Sequence, residues 1–257
     1  MALIDPIDPP LGEGDAVLFD MDGTLLFLPV DIDSVRDRLS DFHRGYGLDM
    51  AFRPLTDDLS AAASRLEEML SPAEARAAQR WARATVEQAE VDAAGRVQPR
   101  EGCLGAFRLL VERGVRLAVV SNNTRRGIRA ALQAVDIDPD GLDALVSRDD
   151  VHSPKPAPDM VELALRSLAA EGWDPVGDEE RPARWWMVGD GPSDVMAATS
   201  CRADRVHPRL PRGKIVVVGG GLAGRGTLAG PGVDHVLTDD RAAFDLLVGT
   251  GHQGEAG

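Results

Sequence analysis

Short apolar runs that stop on polar residues set the strongest limit on what this chain can fold into. AVLFD (16–20), VRLAVVS (115–121), ALV (144–146), RWWMVGD (184–190) and IVVVGG (215–220) are rich in β-branched or aromatic residues. Each is short enough to read as a buried strand. Helical patterns fall between them, roughly at 103–113, 125–135, 158–170 and 193–201. Strands alternating with helices predict parallel strands joined by crossovers, hence an α/β fold with a Rossmann-like, doubly wound sheet. One interval breaks the rhythm. A βαβ unit takes about 30 residues, yet 94 residues separate the first run from the second. The first part of that interval reads as helix only: 31–45, stopped near Gly45 and Gly47; 57–70, opened by Thr56, Asp57 and Asp58; and 72–94. The last has Ser71 as N-cap, Pro72 at the first helical position and Glu74 three residues after the cap, which is a capping box, with Gly95 at its far end. The predicted organisation is a core of 15–27 and 98–250, a small all-helical insert at 28–97, and tails at 1–14 and 251–257. GWDPVGDEERPAR (172–184) reads as a polar surface loop.

Composition narrows the classes of function. With 44% hydrophobic and 27% charged residues, the chain reads as soluble and globular. A net charge of −14 argues against nonspecific nucleic-acid binding and against docking on anionic lipid, both of which need a basic face. Cys103 and Cys201 show no zinc spacing. The N-terminal stretch is acidic and Pro-rich, unlike a signal peptide, and no apolar run is long enough to span a bilayer. A cytoplasmic location is the expectation, and the oligomeric state is left open.

Ligands of parallel α/β sheets bind outside the carboxyl ends of the strands, so reactive groups should gather there. The first run ends in Asp20-Met-Asp22-Gly23-Thr24, the second in Ser121-Asn122, and the fourth in Gly189-Asp190 with Asp194 in the next turn. Lys155 lies in the loop after the third. The chain holds 28 Lys plus Arg, of which only Lys155 and Lys214 are lysines. A lysine at 155 in so Arg-rich a chain points to a need for a compact ammonium.

FDMDGTL (19–25), VVSNNT (119–124), SPKPAPD (153–159) and VGDGPSD (188–194) carry a resemblance to the haloacid dehalogenase superfamily, specifically its phosphatases of the phosphoglycolate-phosphatase-like branch, with a helical cap after the first motif. The resemblance runs over most of residues 15–250. It implies a Mg²⁺-dependent hydrolase of small phosphorylated metabolites working through an aspartyl phosphate. Asp20 would be the nucleophile and Asp22 the general acid and base. Gly23 would allow the sharp turn between them. Thr24 would order the loop, Ser121 and the Asn122 N–H would bond phosphoryl oxygens, and Lys155 would bridge Asp20 and the phosphate. The metal set would be Asp20, the Asp22 carbonyl, Asp190 and Asp194. In the cap, Arg53 is the candidate substrate contact, with Arg44 and Tyr46 beside it.

Asp22 argues against a dehalogenase, and the absence of lysine from 28–97 argues against a phosphonate-cleaving enzyme. A sugar-phosphate mutase or phosphotransferase shares the same core residues and stays open. A non-catalytic phospholigand-binding domain would be expected to have lost part of the catalytic set, and this chain retains it. VVVGGGLAGRG (216–226) imitates a dinucleotide-binding turn through Gly219, Gly221 and Gly224. The residues after it carry no helical pattern, so it reads as a glycine loop after the last core strand. The basic loop RADRVHPRLPRGK (202–214) reads as surface, and Trp185-Trp186 as packing.

Overall fold

A computed structural model of the chain describes residues 7, 10–174, 176, 183–218, 232–237 and 240–249. Its core is a six-stranded, all-parallel sheet of order β5-β4-β1-β6-β7-β8. The strands are β1 (Ala16–Phe19), β4 (Arg116–Ser121), β5 (Ala144–Ser147), β6 (Trp185–Gly189), β7 (Lys214–Val218) and β8 (His235–Leu237). A separate two-stranded antiparallel ribbon pairs β2 (Leu26–Phe27) with β3 (Gln98–Pro99). Strand order reverses about β1, so the carboxyl end of β1 lies at the switch point where such sheets hold ligands.

Period-2 alternation builds the two layers. Ala16, Leu18, Ala118, Val120, Trp185, Met187, Ile215 and Val217 point to one face, where they pack on α6 (Asp159–Ala170) and α7 (Pro192–Ser200). On the other, Phe19 meets Phe107 of α4 (Glu101–Glu112) edge-on at 5.5 Å, and α9 (Asp240–Val248) packs along α4. The central strands are buried on both faces, as parallel sheets require. At the amino ends, acidic side chains take up backbone donors. Asp15 accepts from the Gly12 N–H and from two nitrogens of Arg184, Asp143 from the Leu117 N–H, and Asp234 from the Ile215 N–H.

The chain divides into two compact units, one of residues 1–27 and 97–257 and one of 28–96. The second is helical. It holds α1 (Ile32–Arg44), capped by Asp31, then α2 (Leu55–Met69) and α3 (Pro72–Ala94). Ser71 and Glu74 exchange bonds as a capping box. Val35, Leu39, Phe52, Ala62, Ala82 and Val86 form its centre, and Phe42 stacks on Trp81 at 3.9 Å.

Several expectations need correction. α2 starts at Leu55 rather than 57, and Asp58 accepts the Arg53 N–H instead of capping. The short α8 (Ala203–Val206) interrupts the basic loop. IVVVGG does not supply the last core strand: β8 and α9 come after it, too short and too far past the glycines to read beforehand. Gly219, Gly221 and Gly224 lie outside the described residues, as do both chain ends and much of 172–184. Cys103 and Cys201 form no disulfide. No helix among the described residues is long and apolar enough to cross a membrane.

Candidate active site

Asp20 is the first residue past β1, and its N–H still donates to the Val188 carbonyl, so the sheet ladder fixes its backbone. The residue is nearly buried, at 6% exposure. Lys155, at 4%, approaches from the loop after β5. Its Nζ donates to Asp20 Oδ1 at 2.7 Å, to Asp194 Oδ1 at 2.6 Å and to the Val120 carbonyl at 2.8 Å. All three ammonium hydrogens are therefore used, which is what makes a buried lysine tolerable.

The turn after Asp20 is tight. Asp22 bridges to Leu26, and Gly23 sits at φ +91°, donating its N–H to the Leu26 carbonyl at 2.7 Å. A Cβ at Gly23 would fall 2.2 Å from Asp190 Oδ2, so only glycine lets the turn lie against that carboxylate. Gly189 does the same for Asp194, whose Cβ would lie 2.5 Å from an added one. Asp194 Oδ2 also accepts from the Gly191 N–H at 3.1 Å, which ties it to the start of α7.

Asp20, Asp190 and Asp194 each bring a carboxylate oxygen within 4.8 Å of the others. Burial is the largest influence on Asp20 and pushes its pKa up to about 7; the charges of Asp194 and Asp190 add to this and Lys155 opposes it. Burial likewise lifts Asp190 to about 6, helped by Asp194 and Asp22. Burial alone would lower Lys155, yet Asp194 and Asp20 outweigh it and hold the ammonium protonated. Hard oxygen donors at this spacing fit a divalent cation, and its charge would favour the ionised carboxylates.

Ser121 is buried and donates to Asn123 Oδ1 at 2.9 Å. Asn122 Nδ2 donates to the Lys155 carbonyl at 2.8 Å, whereas its buried Oδ1 has no hydrogen-bond partner among the described residues. Thr24 is fully buried, and its hydroxyl too has none there. Arg53 belongs to the helical unit, where it pairs with Asp33 at 3.0 Å; Arg44 pairs with Asp41 at 2.6 Å and Tyr46 packs edge-on to Phe42. Two neighbours escaped the sequence reading: Asn123, the partner of Ser121, and Arg100, which donates to the Gly23 carbonyl. For Arg100 no sequence signal existed, because its acceptor lies 77 positions away.

Known proteins resemble the chain in sequence and in fold. The chain is 28% identical over 242 residues to the pyrophosphatase PpaX of Halalkalibacterium halodurans, covering 91% of this chain and 96% of that protein. A haloacid dehalogenase-like hydrolase of Bacteroides fragilis superposes with a TM-score of 0.61 at 18% identity, covering 90% of this chain and 99% of the other. CbbY of Rhodobacter sphaeroides, solved with phosphate, superposes at 0.55 and 21% identity over 90% and 96%. At such identities the two structures speak for the fold alone. The family model of the haloacid dehalogenase-like hydrolases matches residues 15–202, most of the chain. This chain is therefore an enzyme that belongs to the haloacid dehalogenase-like hydrolases.

Proposed function

We propose that this hydrolase is a phosphatase of small phosphate monoesters, with Asp20 as nucleophile and Mg²⁺ as its resident cation. The observation that carries the reading is the contact of the Lys155 ammonium with Asp20 and Asp194 at the switch point of the sheet. Lys155 holds the Asp20 carboxyl in place and favours its ionised form against burial, and an attacking group must be both aimed and ionised. Asp20 attacks phosphorus, and the bond from phosphorus to the leaving oxygen breaks. Asp22 gives its proton to that oxygen, which departs as the alcohol. Asp22 then takes a proton from water, whose oxygen attacks the aspartyl phosphate, releasing orthophosphate and restoring Asp20. Lys155 offsets the charge of the transferring group. The Ser121 hydroxyl turns from Asn123 to a phosphoryl oxygen, and the Asn122 N–H supplies a second donor. Thr24 orders the loop. The carboxylates of Asp20, Asp190 and Asp194 and the Asp22 carbonyl would hold Mg²⁺, which supplies positive charge against the phosphoryl oxygens.

The test is a panel of phosphate monoesters, assayed with and without Mg²⁺, for wild type and Asp20→Asn. Inorganic pyrophosphate belongs in the panel because the curated relative is named a pyrophosphatase. Turnover should vanish on chelation, return with Mg²⁺, and fall by about 10³-fold or more in the variant, the scale for loss of a nucleophile. Equal turnover by both proteins rules out Asp20 as nucleophile. A phosphorylated isomer without free phosphate would instead identify a mutase.

A further inference from the structure

Arg100 comes directly after β3 and is only 3% exposed. A buried guanidinium is costly unless its donors are met, and a leucine would pack there at less cost. The contacts explain the arginine. Its Nη1 donates to the Gly23 carbonyl, its backbone N–H donates to the Leu25 carbonyl at 2.9 Å, and its Cζ stands 5.5 Å from the Phe27 ring centroid. One residue thus grips the turn from Gly23 to Phe27 at three points.

The gripped turn holds a glycine in the left-handed region. Gly23 at φ +91° has no side chain to restrain it. Its N–H is held by the Leu26 carbonyl and its own carbonyl by Arg100, so both of its polar groups are committed. Asp22 precedes Gly23 through the peptide whose N–H bonds the Leu26 carbonyl, and Arg100 holds the next peptide along, so the two bonds fix Gly23 on both sides and with it the course of the chain out of Asp22. The Arg100 charge also bears on Asp190, against which Gly23 lies.

We infer that Arg100 is a positioning residue for proton transfer: by fixing the Gly23 carbonyl it aims the Asp22 carboxyl at the leaving oxygen. The inference rests on the roles proposed for Asp20 and Asp22. A group that positions a general acid matters most when the leaving group is a poor one. p-Nitrophenolate departs with little need of a proton, whereas phenolate needs one.

The experiment compares p-nitrophenyl phosphate and phenyl phosphate with wild type, Arg100→Met, Arg100→Lys, Asp22→Asn and Asp20→Asn, each checked for a cooperative melt. General-acid catalysis contributes about 10²–10⁴-fold and small misplacements cost up to about 10²-fold, so Arg100→Met should lose about 30-fold in kcat/KM, which covers the steps up to departure of the leaving group, on phenyl phosphate but under about 3-fold on p-nitrophenyl phosphate. Asp22→Asn should show the same dependence on leaving group, and Arg100→Lys should recover part of the loss. Equal losses of kcat/KM on both substrates in folded Arg100→Met would overturn the inference and leave Arg100 a structural residue. If Arg100→Met fails to fold, the same split in Arg100→Lys decides. Should Asp20→Asn retain wild-type turnover, the reading of the site fails first and the inference with it; should Asp20→Asn be inactive and Arg100→Met be like wild type on both substrates, only the inference fails.

Discussion

Close approach of backbone to carboxylate, rather than any single bond, sets the geometry around Lys155. Gly23 and Gly189 each stand where an added methyl group would overlap an acidic side chain, with Asp190 Oδ2 at 2.2 Å and the Asp194 Cβ at 2.5 Å. At Gly23 the positive φ adds strain for any other residue, at about 1–2 kcal/mol. Gly95 is different: none of the described residues lies within 4 Å of an added methyl, and its φ is −68°. Gly23→Ala and Gly189→Ala should each lower kcat by about 10²-fold, the effect of an ångström of displacement at reacting groups. Gly95→Ala should leave kcat within about 2-fold, since it neither strains the backbone nor touches the site. Steady-state assay of the three variants checks this; an active Gly23→Ala would show that the turn has room to spare.

At the scale of elements, local signals were legible and distant ones were not. Ser71-Pro72-Ala73-Glu74 announces a helix start because every bond of a capping box closes within four residues, and α3 begins there. Ser71→Ala should cost about 1 kcal/mol, the usual value of an N-cap, seen as a lower denaturant midpoint and faster hydrogen exchange in the first turn of α3. The bonds from the Ser71 side chain and N–H hold the Glu74 carboxyl below the ordinary carboxylate range. A lowered native pKa gives stability that is complete above the unfolded pKa and disappears as pH falls through the native one. The stability difference between wild type and Glu74→Ala should therefore be full at neutral pH and shrink on acidification. By contrast, β2 and β3 have two residues each and β8 has three, below the length at which alternation can be read. The site itself stood between these cases. Strand ends told where Asp20, Ser121, Lys155 and Asp190 would lie, because chain direction in a parallel sheet delivers all its carboxyl ends to one edge. The contacts of Lys155 with Asp20 across 135 positions, and of Arg100 with Gly23 across 77, arise from packing that no local pattern encodes.

For the whole molecule, the junction of the two units matters more than their sizes. Leu26 pairs with Pro99 and Phe27 with Gln98 in an antiparallel ribbon. Residues so paired have Cα atoms about 5 Å apart, so the chain leaves the core and returns to it at nearly one place. The hydrophobic cluster on the α6 and α7 face of the parallel sheet is built from residues of the core unit, Ala16 to Val217. A core joined from Phe27 to Gln98 by a two-residue Asn-Gly turn, which suits an antiparallel ribbon, should therefore fold without 28–97. The tryptophans make this measurable. Trp173, Trp185 and Trp186 belong to the core, and Trp81 is the one tryptophan of the helical unit. Trp173 and Trp185 are anchored by indole bonds to the Gly14 and Pro211 carbonyls, at 3.0 and 2.9 Å. The shortened chain should keep a single cooperative urea transition in their fluorescence, with an m-value reduced in line with the surface removed. A broad, non-cooperative change would mean that the helical unit takes part in folding the sheet, and that the two compact units melt as one.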